Sequence, residues 1–372
     1  TGQKNTASGF KALYANTTAH GNTASGTYAL CTNITGTYNT AMGMCALLLN
    51  TTSYNTAVGM EALANNTSGP RNTAIGVQAL ASNTSGERNT ASGYKALYAT
   101  TTGAYNTASG QCSLHSNTTG CYNTASGYRA LNANTTAHTN VAIGACALYA
   151  TTTGSYNTAS GYSSLKSNTT GTVNTASGFY ALRNNTTGSC NQAFGYNALR
   201  SNTTASYNTA VGTMSLYTNT TGGENTGVGN KALLSNTTGN YNVAVGERAL
   251  CSGTTSSQNT AIGQLALGQN TTGCTNTAVG SEALRNNTTG HRQVAMGSLS
   301  LYCNTTGNNN TATGWMAMKL NTTGGCNTAH GYQAMCGNTT GASNTAHGYQ
   351  SLVNNTTGGS NVAIGYQALC DN

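Results

Sequence analysis

The amino-acid sequence predicts an all-β chain wound into a parallel β-solenoid, a β-roll of 22 coils with a 17-residue repeat and two short strands per coil. Three observations carry that prediction. The run Asn-Thr-Ala-x-Gly, with occasional exchanges at its first three places, recurs from Asn5 to Asn361, and its starts lie 17 residues apart except for the 16 between Asn39 and Asn55. Helical periodicity is absent, Gly or Asn returns every few residues, and Thr, Val and Tyr are frequent. Charged residues make up 5% of the chain, against roughly 25% in an average soluble protein. Polar low complexity of this kind suggests disorder where no register is kept, so the strict spacing decides for an ordered array. A chain of 372 residues would otherwise suggest two or three globular domains. The repeat predicts instead a single continuous solenoid over residues 1–372, without caps.

The unit reads N-T-A-x-G-x-x-A-L-x-x-N-T-T-G-x-x, and its positions are numbered here one to seventeen from the first Asn. The first strand is expected at N-T-A-x-G and the second through the A-L pair. Gly at position five and the N-T-T-G stretch supply the turns, because Gly and Asn tolerate positive φ. Charges mark the wet positions: position seven carries Lys11, Glu61, Lys95, Arg129, Lys231, Arg248 and Glu282, and position ten carries Lys166, Arg183, Arg200, Arg285 and Lys319. Positions one to five, eight and nine carry no charge in any coil. Leu dominates position nine, with Met318 and Met335 as variants, so this is the expected core rung, and a Leu-to-Asp change at Leu182 or Leu199 is expected to disrupt coils locally. Ala at position three alternates with positions two and four along the first strand. If Ala points inward, positions two and four face outward.

That outward face carries Thr at position two in 17 coils and Ile, Val, Met or Phe at position four in 12. A long, uncharged, partly apolar face is expected to be covered, most simply by another copy of the chain in a two-fold or three-fold assembly. The expected subunit contacts on it are Val141, Ile143, Val211, Val245, Ile262, Val362 and Ile364. The alternative is a Thr-rich sheet left in water.

Asn140-Val141-Ala142-Ile143-Gly144 and Asn361-Val362-Ala363-Ile364-Gly365 resemble the S-V-A-I-G repeats in the heads of trimeric autotransporter adhesins. The wider unit, as in Asn361 to Leu369, is similar to tandem repeats of bacterial surface and phage tail-fibre-like proteins. The resemblance implies left-handed parallel β-rolls that trimerise through the Val and Ile positions, and a place at the cell surface or outside the cell. The coil here is longer than the usual adhesin repeat, and Thr and Ser often replace Val and Ile.

The two ends of the sequence fit each other. Joining Asp371-Asn372 of one copy to Thr1-Gly2-Gln3-Lys4 of the next gives a run of the same length as Asn50 to Asn55 in the short coil, which predicts head-to-tail stacking or a segment of a longer solenoid. At about 4.8 Å per coil, 22 coils predict a rod on the order of 100 Å.

Four residue patterns are candidate sites. N-x-T/S sequons stand at position twelve in 18 coils, including Asn16, Asn33, Asn50, Asn117, Asn202, Asn270 and Asn338. They are candidate N-glycosylation points, or turn residues whose stacked side chains form ladders between coils, which is the favoured reading. The 12 cysteines contain no C-x-x-C, and none shares a position with a cysteine in the adjacent coil, so free thiols or contacts between subunits are expected, with an off-register pair such as Cys326 and Cys303 left open. His330 and His347 share position four on adjacent coils and make a weak candidate metal pair, since two ligands without a nearby carboxylate are few. Tyr332, Tyr349 and Tyr366 share position six and form a candidate aromatic ladder that could meet sugar rings or simply pack across strands.

No catalytic grouping, cofactor motif or phosphate loop is evident, and an enzyme is not expected. The formal charge of +8 is spread singly, without the basic stripe that a nucleic-acid partner requires. No stretch approaches the ~20 apolar residues of a membrane span. The sequence therefore points to a structural subunit of an extracellular filament or fibre whose partner is itself. An adhesin or tail-fibre shaft meeting surface glycans is the alternative, and ice binding through Thr-x-Ser rungs is a further one, set back by the bulky residues at position four.

Overall fold

The computed structural model describes residues Gly2 to Asp371. The expected contacts at Thr1 and Asn372 lie outside the described residues. The chain divides into two compact units, Thr1–Gly188 and Ser189–Asn372. The first holds strands β1 (Thr6–Ser8) to β11 (Thr175–Ser177), the second β12 (Gln192–Phe194) to β22 (Val362–Ile364). Within each unit successive strands pair in parallel, in register one coil apart: Thr90 faces Thr107 and Ala91 faces Ala108, just as Val243 faces Thr260 and Ala244 faces Ala261. At about 4.8 Å per rung each unit is a stack of roughly 50 Å. The parallel β-solenoid expected from the register is thus the fold.

The second strand of each coil does not form. Each coil contains a single strand of three residues, and the A-L pair lies in a succession of turns. The backbone dihedrals explain this. Gly at position five turns the chain with φ between 120° at Gly144 and 140° at Gly348. Positions seven, nine and seventeen are then left-handed as well, and position nine runs from 48° at Leu165 to 58° at Met335. Leu in that region costs about 1–2 kcal/mol, whereas full burial of its side chain returns about 1.5–3 kcal/mol. Burial therefore wins, and Leu is held where propensity alone would not put it.

The coils stay hydrogen-bonded through these turns without strand geometry. The amide of Leu233 donates to Ala249 O at 3.0 Å, and that of Asn236 donates back to Leu233 O at 3.2 Å within its own coil. Positions three, eight and nine are buried between the end coils, where Ala7 and Leu369 are exposed, so the Ala and Leu rungs form the apolar interior as expected, with Leu182 and Leu199 fully enclosed.

A second, polar interior runs beside it. Asn at positions one and twelve is enclosed in nearly every coil. In the coil of Asn225, the amide Nδ2 donates to Gly239 O at 2.8 Å, and Asn236 Nδ2 donates to the same carbonyl at 3.0 Å. Each also reaches the matching Asn of the preceding coil, Asn225 N to Asn208 Oδ1 at 3.0 Å and Asn236 Nδ2 to Asn219 Oδ1 at 2.7 Å. Two asparagine ladders thus converge on the position-fifteen carbonyl and tie most coils both to themselves and to their neighbours, the position-twelve ladder being interrupted at Thr100, Thr151 and Gly253. The Nδ2 donors of these buried amides are partnered, as those of Asn225 and Asn236 are, and leaving such a donor without a partner would cost about 1–3 kcal/mol. The oxygens are less fully used, Asn83 Oδ1 and Asn236 Oδ1 having no partner among the described residues. A threonine ladder at position thirteen adds hydroxyl bonds such as Thr118 Oγ1 to Thr135 O at 3.0 Å.

Left-handed residues on the surface lack the compensation that burial gives Leu. Val173 is exposed and β-branched, yet sits at φ 58°. Val173→Gly is expected to raise the unfolding free energy by about 1 kcal/mol, the relief of side-chain strain outweighing the entropy cost of Gly. Chemical denaturation checks this, and a lowered midpoint would contradict it.

Candidate interaction face

The outward face is built by positions two and four of each strand, because Ala at position three takes the inward side. Val141 is half-buried, and Ile143, Val211, Val245, Ile262, Val362 and Ile364 are exposed on that face, where the sequence places them. Gly2 and Asp371 are exposed as well. The face is not uniform. In the second unit Phe194, Val211, Val228, Val245, Ile262, Val279 and Met296 occupy position four of successive strands, β12 to β18, and make an apolar strip. Their rung spacing gives the strip a length of about 30 Å. In the first unit Met42, Val58 and Ile75 form a shorter strip, and Ile143 interrupts the Thr-x-Ser rungs at Ser92, Ser109, Ser126, Ser160 and Ser177. The regular hydroxyl lattice that ice binding would use is therefore broken in both units.

Position six turns the corner from this face and carries the aromatic ladder. Tyr332 and Tyr349 stack at 5.0 Å between ring centroids and Tyr349 and Tyr366 at 5.2 Å, with interplanar angles of 4° and 8°. Trp315, which the sequence reading missed, extends the ladder at 4.8 Å from Tyr332. Beside it at position seven runs a glutamine ladder, Gln350 Nε2 to Gln333 Oε1 at 2.8 Å and Gln367 Nε2 to Gln350 Oε1 at 3.0 Å. The shared position six of Trp315 was the available signal. Stacking also occupies the ring faces of Tyr332 and Tyr349 on both sides, so these rings present edges, not the flat platforms on which a sugar stacks.

The sequons are on the inside. Asn33, Asn50, Asn117, Asn202, Asn270 and Asn338 are fully buried and Asn16 is half-buried. Their Nδ2 atoms, the atoms a glycan would need, donate within the solenoid, as Asn270 does to Gly273 O at 2.8 Å and Asn338 to Asn321 Oδ1 at 2.9 Å. The folded coil leaves no room for sugars at these amides, and the ladder explains the repeated N-T-T without them.

All 12 cysteines are free, including Cys303 and Cys326. Two have a definite local part. At position sixteen a side-chain acceptor caps the backbone N–H of the previous coil: Cys121 Sγ takes Ala104 N–H, Cys274 Sγ takes Ser257 N–H, and Ser206 Oγ takes Ser189 N–H. His138 and His291 do the same through Nδ1, accepting from Cys121 N and Cys274 N at 3.1 and 2.9 Å. The recess of about 440 Å³ around Cys274, His291, Arg292 and Asn308 is thus lined by capping groups already engaged with the backbone. Thiol reactivity should follow exposure. Cys326 is exposed, whereas burial pushes the Cys303 and Cys336 thiols up, with Lys319 pulling the other way. Timed iodoacetamide labelling read by peptide mass spectrometry is expected to modify Cys326 first and Cys336 last; the reverse order would overturn the assigned burial.

His330 and His347 are register partners on β20 (Thr328–His330) and β21 (Thr345–His347), with ring centroids 5.7 Å apart. Among the described residues no group of three or more His, Cys, Asp or Glu is placed to hold a metal ion, and no helix is long and apolar enough to cross a membrane. Neither a protein-family model nor a curated protein matches the chain. What the geometry defines is a tandem-repeat β-solenoid protein.

Proposed function

We propose that the chain is a structural subunit of an extracellular filament or fibre. The observation that carries this reading is the near-sameness of the rungs: apart from exchanges such as Thr100, Thr151 and Gly253 at position twelve and Gln293 at position one, each coil offers the next the same asparagine, threonine and backbone donors and acceptors. A coil that closes one stack is therefore complementary to the coil that opens another, whichever chain supplies it. The uncharged Thr-Ala-x face, with its apolar strip, supports lateral association of such stacks as a second contact. A place outside the cell follows the resemblance to adhesin-head and tail-fibre repeats. The glycan-binding alternative is weakened by the edge-on presentation of Tyr332 and Tyr349, which leaves Tyr366 at the end of the ladder as the tyrosine with an open face.

Electron microscopy of the purified chain, without denaturant, tests the proposal. Long uniform fibres with a ~4.8 Å axial repeat are the expected result. Discrete particles that do not lengthen over a concentration series would overturn self-assembly.

A further inference from the structure

We propose that His330 and His347 form a two-imidazole chelate for a divalent transition-metal ion of the nickel, copper and zinc group. The two side chains leave the same outward face from register-paired positions of adjacent parallel strands. Neighbouring strands lie about 4.8 Å apart, so their Cβ atoms run side by side rather than diverging. Two imidazoles bound to one ion by bonds of about 2.0–2.1 Å place their ring centres roughly 4.5–5 Å apart. The rings stand 5.7 Å apart at an interplanar angle of 61°, so small side-chain rotations bring both to one ion.

A second observation orients the pair. Thr313, one rung before, is hydrogen-bonded through Oγ1 to Nδ1 of His330. This contact leaves Nε2 of His330 unengaged by the threonine and restricts the ring, as hydrogen-bond partners behind metal ligands commonly do. Imidazole nitrogens suit this group of ions, and water would complete the coordination. No Lys or Arg stands at positions one to five of any coil, so no cation shares the strand face with the ion. The chain has 6 histidines, and among the described residues only this pair is matched in register on adjacent strands.

The test is calorimetric titration of the thiol-alkylated full chain with NiCl2, comparing the parent with His330→Ala, His347→Ala, the double variant and Thr313→Val. His347 is exposed and His330 half-buried on the outer face, and thermal unfolding checks that each variant keeps the fold. The parent is expected to bind one Ni2+ more per chain than the double variant, with each single histidine variant at least ten-fold weaker. Thr313→Val should weaken binding about ten-fold. Equal binding by parent and double variant would overturn the site. Loss in the histidine variants with none in Thr313→Val would overturn the orienting role of the threonine.

Discussion

Leu199→Asp is expected to open the solenoid at its own coil and to lower stability by more than about 4 kcal/mol. Leu199 is fully buried beside Ala198 and one coil from the equally buried Leu216. A carboxylate there has neither water nor a cation, and the chain relieves that cost by releasing the coil. Release also forfeits the bond from Leu199 N to Ser215 O at 2.9 Å and the bond from Asn202 N to Leu199 O at 3.3 Å. Because coil stability in a repeat stack is largely a sum of nearest-neighbour contacts, damage should centre on adjoining coils rather than spread evenly. Limited proteolysis with mass mapping should find new cleavage near residue 199. Leu199→Met is the control, since Met318 and Met335 occupy the same position natively and are as deeply buried. A protease-resistant Leu199→Asp chain would sink the assignment of position nine as core.

Gly263→Ala should cost at least about 3 kcal/mol, whereas Gly222→Ala should cost under about 1.5 kcal/mol. Space alone would not separate them, because an added Cβ meets a backbone oxygen at 2.4 Å from Gly263 and 2.3 Å from Gly222. The backbone does. Gly263 has φ +131°, a region that is essentially closed to side chains, and its added Cβ would also meet Gly280 C at 2.6 Å. Gly222 sits at position fifteen, where Ala137 and Ala205 already stand buried in the chain, so that turn can shift to take a methyl group. Urea denaturation of the two variants side by side decides the matter; equal losses would mean that crowding, not φ, selects Gly at position five.

The sulfur and histidine patterns show how local chemistry hides in a variable position. Cys121, Cys274, His138 and His291 share no property that a motif search detects, yet each presents a γ or δ1 acceptor to the coil before it. Ser155 and Asn240 do likewise, which was the signal available in the alignment of the repeat with itself.

What the sequence determined by itself was the repeat, its length, the parallel register and the side of each strand. Identical residues at a fixed spacing can all be satisfied only by stacking like on like. Leu at the charge-free position nine marked the rung of Leu47 or Leu250 as interior, alternation with the inward Ala of position three left Ile262 outside, and all are found there. Tertiary structure alone decided that the A-L segment turns instead of forming a strand. Nothing local favours Leu at φ near 50°; the gain comes from burial against the neighbouring coils, a term absent from any single repeat. It also decided that the asparagines of the sequons point inward. An Asn-Thr-Thr turn reads the same whether its amide faces water or a carbonyl, and only the closing of Asn225 and Asn236 onto Gly239 O makes the interior half polar.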